Sequence, residues 1–237
     1  MKKFFFVFIL IGCFIMLFAS PLGNISQVNV NGANVLSYED ITTLISNEPT
    51  NIITFNNRRA VNNINTNPYV HRATISKNYF TRTLNINITE RITVAYARFI
   101  DGNYLHIDKE GRVLAVSSYP TTSLPIVTSL NFTQFIVGQL LSETGGVETD
   151  FLTIAYLASI FITYEINQQT LQINASDANF LRLNYGNVIV SLGAPQNLHQ
   201  KMRIVISTLP LFEAWRYLGG HLNISDVNLQ WTFTVLT

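Results

Sequence analysis

The sequence predicts an α+β protein in three parts. They are an N-terminal single transmembrane helix over residues 4–22, a small α/β domain over 24–95, and a mainly antiparallel β domain with packed helices over 96–237. Three observations lead there: an uncharged apolar run at the start, a strand-helix-helix-strand-strand pattern behind it, and a longer stretch of alternating strands carrying two core-facing helices.

Phe4 to Leu22 is apolar and uncharged over 19 residues, which at ~1.5 Å rise per residue covers most of the hydrocarbon thickness of a bilayer. Lys2 and Lys3 precede it and no Lys or Arg follows before Arg58. The positive-inside bias therefore puts residues 1–3 in the cytoplasm as a short stub and the bulk of the chain outside, at the inner (cytoplasmic) membrane. Two other readings of the leader are weighed against this one. For a cleaved signal peptide, Met16 stands where a small residue is usual and Pro21 disfavours cutting after Ser20. For lipidation at Cys13 in Leu10-Ile11-Gly12-Cys13, the run Phe14 to Phe18 stays apolar where a polar tether usually begins.

Composition narrows the function classes. Charged residues make up 12% of the chain, about half the ~25% of an ordinary soluble protein, so the surface is polar and uncharged. A net charge of +1 with no basic cluster argues against nucleic acid. Cys13 is the single cysteine and lies in the leader, which excludes an internal disulfide or a thiolate metal site in the rest of the chain.

In the small domain, Val28-Asn29-Val30-Asn31-Gly32 alternates into a glycine turn. Ser37 and Asp40 form an acidic variant of the capping box ahead of Ile41, Leu44 and Ile45. A second helix fits Arg58 to Asn65, with Ala60, Val61 and Ile64 on one face and Asn67-Pro68 as its stop. Val70 to Ser76 reads as a strand, and Leu84, Ile86 and Ile88 alternate with Asn85, Asn87 and Thr89 before Glu90-Arg91. This order and these residues, with Val30-Asn31-Gly32 at the start, Asn67-Pro68-Tyr69-Val70 in the middle and Glu90-Arg91 at the end, resemble the POTRA domain of the FtsQ/DivIB division proteins.

The larger domain opens with a hairpin, Tyr104 to Leu114, around an Asp108-Lys109-Glu110-Gly111 turn. Ile154, Leu157, Ala158 and Phe161 line one helix between Glu148 and Ile162. Leu198, Met202, Val205, Ile206 and Leu209 line a second between Leu198 and Leu209. Strands at 171–174, 180–184 and 188–192 lie between them. The resemblance extends into this part through Asp108 and Gly111, Leu124-Pro125-Ile126, Gly186 and Gly193, Lys201, and Asp226-Val227, and it rests on their order along the chain.

No serine nucleophile elbow, Walker loop, dinucleotide fingerprint or His-Glu-x-x-His motif is present, and His71, His106, His199 and His221 are scattered. Asp108 and Glu110 fit a turn better than a calcium loop. The sequence therefore predicts no catalytic residues, no metal ligands, no cofactor and no small-molecule substrate: the protein is expected not to be an enzyme.

Residues 227–235 carry the cleanest alternation in the chain, with Val227, Leu229, Trp231, Phe233 and Val235 apolar and Asn228, Gln230, Thr232 and Thr234 polar. With no Pro and no charge after Asp226, the strand lacks the usual protection of a sheet edge. The resemblance implies that FtsB/DivIC-like and FtsL-like partners bind near this end by strand addition, at the division septum, with Asn228, Leu229, Gln230, Trp231, Thr232, Phe233 and Thr234 as the contact residues. The function expected is a non-enzymatic cell-division scaffold. The alternative is an envelope lipoprotein or secreted POTRA module that binds or chaperones extended peptides.

Overall fold

The computed structural model describes residues 23–147, 149–166, 171–177, 180–215, 218–226 and 232–235. The expected leader helix lies outside these residues. Among the described residues no helix is long and apolar enough to cross a membrane. The chain divides into two compact units between Arg91 and Ile92.

The first unit runs β1 (Gln27–Asn31), α1 (Tyr38–Leu44), α2 (Asn57–Ile64), β2 (Val70–Asn78) and β3 (Thr83–Glu90). Its sheet has the order β1-β3-β2, with β1 parallel and β2 antiparallel to the central β3. Leu84, Ile86 and Ile88 of β3 are buried with Ile41, Ile45, Ala60 and Ile64 of the helical layer, so the alternation of β3 decides which face the helices cover. Both arms of the capping box form: the Asp40 N–H donates to Ser37 Oγ at 3.1 Å, and the Ser37 N–H to Asp40 Oδ2 at 2.9 Å.

Gly32 leaves β1 with φ +80°, and a Cβ there would lie 2.1 Å from the Ile88 carbonyl oxygen. Only glycine fits this turn. The chain that follows is held by Glu90, whose carboxylate accepts the N–H groups of Asn34, Val35 and Leu36 at 2.8, 2.9 and 2.8 Å. One side chain at the end of β3 thus ties down the connection from β1 to α1. Glu90→Ala is expected to destabilise the first unit by ~2–3 kcal/mol, the scale for losing hydrogen bonds to a charged acceptor. A denaturant melt of the full chain checks this, read on the first unit's transition.

The second unit contains β4 (Ala95–Arg98), β5 (Tyr104–Ile107), β6 (Val113–Ser117), β7 (Ile126–Thr128), α3 (Leu141–Thr144), α4 (Phe151–Thr163), β8 (Leu171–Asn174), β9 (Leu181–Tyr185), β10 (Val188–Gly193), α5 (Leu198–Trp215), β11 (Gly220–Asn223) and β12 (Thr232–Val235). Its strands form one nine-stranded sheet in the order β12-β11-β10-β9-β8-β7-β4-β5-β6. Pairing is parallel for β10 with β11, β7 with β8 and β4 with β7, and antiparallel elsewhere. One apolar core joins the inward residues of these strands to Ile154, Leu157 and Phe161 of α4 and Leu198, Met202, Val205 and Phe212 of α5.

The turn after β5 is built by Asp108, whose Oδ1 accepts the N–H groups of Glu110 and Arg112, both at 2.9 Å. Gly111 has φ +81° and lies against the Phe151 ring. Asp108 is therefore a buried turn former.

One expected boundary differs from the structure. The second core-facing helix does not stop at Leu209 but runs through Pro210 to Trp215. Phe212, fully buried beyond the proline, packs 5.9 Å from Tyr185 and 6.4 Å from Phe233. Its burial holds the last turns on the sheet despite the missing N–H. Of the strand expected over 227–235, Thr232–Val235 are described as a strand, and residues 227–231 lie outside the described residues.

Candidate functional site

Of the residues that alternate over 227–235, Thr232–Val235 come to the margin of the large sheet. β12 is the last strand in its order and pairs antiparallel with β11, placing Thr232 opposite Asn223, Phe233 opposite Leu222, Thr234 opposite His221 and Val235 opposite Gly220. Of the expected contact residues, Asn228, Leu229, Gln230 and Trp231 fall outside the described residues, while Thr232, Phe233 and Thr234 form most of β12.

The two faces of β12 differ. Thr232 and Thr234 are exposed, whereas Phe233 and Val235 are half-buried. The Phe233 ring stacks near Phe212 of α5, and it passes over Gly220, where a Cβ would meet Phe233 Cζ at 2.4 Å. Phe233 thus clamps β12 to the sheet, and the two threonines remain for contact from solvent. The edge itself consists of four residues with neither charge nor proline, the composition that leaves a margin open to another strand.

Behind this edge three residues separated in the sequence meet. Gly193 ends β10 with φ +66°, and a Cβ there would lie 2.7 Å from Ser225 Cβ. Lys201, in the first turns of α5 and buried, donates from Nζ to the carbonyls of Leu192 at 2.7 Å and Ala194 at 2.8 Å, on either side of that glycine. Burial pulls the ammonium's pKa below the ordinary lysine value, and the Asp226 carboxylate partly opposes the shift. The Ile224 N–H donates to the Ser191 carbonyl at 3.0 Å. Together these contacts fix how the chain leaves β11 toward β12. Sequence reasoning placed Gly193, Lys201 and Asp226 in order without their meeting point, and it missed β11, whose four residues are too few for periodicity to register.

A pair that no motif announces is Ser191 Oγ with His221 Nε2, 2.8 Å apart across β10 and β11. Ser191 is buried in mid-strand, opposite Arg182 of β9, so a substrate carbonyl has no open approach to it. The bond ties two parallel strands together. His106 pairs with Ser117 Oγ at 3.0 Å and packs edge-on against Tyr96, and burial lowers its pKa. An open groove of about 700 Å³ lies between residues 120–126 and the C-terminal end of α4. Among the described residues Glu165 is the single ionisable one lining it. Among the described residues no three His, Cys, Asp or Glu side chains cluster to hold a metal ion.

Similarity to known proteins agrees with this architecture. Residues 23–91 match the POTRA domain, FtsQ-type. Over 212 residues the chain is 28% identical to the cell division protein DivIB of Clostridium tetani, covering 88% of this chain and 78% of that protein. Over 100 residues it is 32% identical to DivIB of Staphylococcus aureus, covering 42% of this chain and 22% of that longer protein. With a matched FtsQ-type POTRA domain over residues 23–91 and likeness to a DivIB protein over most of its length, the chain is similar to the FtsQ/DivIB division proteins.

Proposed function

We propose that this protein is a membrane-anchored, non-enzymatic scaffold of bacterial cell division, with its POTRA and β domains outside the cytoplasmic membrane. Its β domain binds FtsB/DivIC-like and FtsL-like proteins by strand addition at the β12 edge. The observation that carries the reading is the position of β12 at the end of the nine-stranded order, with outward Thr232 and Thr234 and inward Phe233. Main-chain hydrogen bonds would supply affinity and the exposed threonine face part of the selectivity. The apolar run Phe4–Leu22 supplies the anchor, and the division role follows from likeness to proteins named DivIB.

A fluorescent fusion of the full chain is expected to concentrate at the septum of dividing cells, and capture from those cells should recover two small single-pass coiled-coil proteins. Even distribution around the cell, with neither partner recovered, would sink the proposal.

A further inference from the structure

The turn between β2 and β3 presents two aromatic side chains to solvent: Phe80 is 101% exposed and Tyr79 59%. Set side by side, the two rings form an exposed apolar patch of the kind that contact surfaces use. The turn is firmly built. Asn78 Oδ1 accepts the N–H groups of Phe80 at 3.1 Å and Thr81 at 3.2 Å, an Asx arrangement that fixes the backbone of the tip. Lys77 Nζ donates to the Phe55 carbonyl at 2.6 Å and sits 6.0 Å from the centre of the Tyr79 ring.

Its place in the fold suggests what it faces. The Ser26 N–H donates to the Arg82 carbonyl at 2.9 Å, and Ser26 Oγ donates to the Thr81 carbonyl at 2.7 Å. Because β1 runs parallel to β3 from Gln27 opposite Thr83, the aromatic turn lies at the end of the sheet where the chain enters from the apolar run. Ile53, 40% exposed, is at the same end: its loop is held there by the Ile25 N–H on the Thr50 carbonyl at 2.8 Å and the Ile52 N–H on the Gly23 carbonyl at 2.9 Å. Three residues, Gly23 to Ile25, separate Leu22 from Ser26, a reach of at most ~14 Å, while a headgroup layer is roughly 5–8 Å thick. From Val70 to Thr89 the sequence contains Arg72, Lys77 and Arg82 and no acidic residue, a charge that complements anionic lipid.

We infer that the Tyr79–Phe80 turn is a second membrane contact, inserting its aromatic rings among the headgroups of the phospholipid bilayer that residues 4–22 cross. It rests on the reading of those residues as an anchor. The chemistry is that of the aromatic belts at membrane-water boundaries, where a ring with an apolar body is favoured at headgroup depth. The consequence is orientation: one covalent anchor leaves the POTRA domain free to tumble about it, and a second contact fixes the axis along which β1 and β3 rise from the membrane.

The test uses the full chain with Cys13→Ser, reconstituted in phosphatidylglycerol-containing vesicles, with a spin label on a cysteine at position 81, 35 or 11 in turn. Position 35, in the connection held by Glu90 after β1 leaves the sheet, is the solvent control, and position 11 reports the anchor. At position 81 the ratio of collisions with oxygen to collisions with a water-soluble nickel complex is expected to be several-fold higher than at position 35. Tyr79→Ser with Phe80→Ser should lower it to the control value without changing the thermal transition, since both side chains are exposed. A label at 81 as wet as the one at 35, with that at 11 in lipid, overturns the inference and leaves the anchor standing. A wet label at 11 removes the anchor and this inference with it.

Discussion

Lys201→Met is expected to lower the stability of the second unit by ~2–3 kcal/mol, and Lys201→Ala by more. The Nζ group holds the Leu192 and Ala194 carbonyls across the turn at Gly193. Charge-assisted bonds of this kind contribute ~1.5–3 kcal/mol each, and removing the donor leaves at least the Leu192 carbonyl buried without it. Part of that loss is offset, because methionine no longer carries an ammonium that burial disfavours. Methionine also keeps the apolar stem, which alanine deletes, adding a cavity term. Denaturant unfolding of the full chain reads the effect on the second unit's transition. A Lys201→Met midpoint matching the parent would mean that the two carbonyl bonds contribute nothing net.

The pH dependence of this site follows from the same lowering. A lysine whose folded pKa lies below its unfolded value binds fewer protons folded than unfolded between the two values, so its contribution to stability rises with pH through that window. Below that window the ammonium is present in both states and its burial cost is felt in full.

The first unit was legible almost element by element, because its signals are local. The Ser37–Asp40 capping box, the Gly32 turn and the strict alternation of β3 each act within a few residues of themselves. The second unit was less so. Its two long helices and the Asp108–Gly111 turn could be read, but β4, β7 and β11 are three or four residues long and are stabilised by neighbours from distant parts of the chain. The helix α5 outran its proline because Phe212 finds a pocket against Tyr185 and Phe233, a tertiary contact that no window of sequence contains. At the candidate site the alternation identified a strand and its apolar face. What it could not give was the backing: the Lys201 bonds around Gly193, the close approach of Gly193 to Ser225, and the seat of Phe233 over Gly220. Those depend on β10, α5 and β11 lying side by side.

Strand addition at β12 makes a demand on the backbone that side-chain contact does not. Thr232 and Phe233 are neighbours, so the N–H of one points toward β11 and that of the other points away from it. Proline removes the donor and blocks close approach at whichever side it occupies. Of Thr232→Pro and Phe233→Pro, the one on the outer side is expected to weaken binding of the FtsB/DivIC-like partner at least about tenfold, equivalent to ~1.4 kcal/mol. Thr232→Ala and Thr234→Ala, which leave the backbone intact, should cost no more than about threefold. Each variant of the full chain is first melted, because Phe233→Pro also removes the ring packed near Phe212 and only folded protein is informative. The deciding measurement is the affinity of the full chain for the partner's extracytoplasmic segment across this set. The account predicts one proline that weakens binding at least about tenfold beside alanines that cost no more than about threefold. Normal binding by both folded proline variants would contradict it and move the interface away from β12.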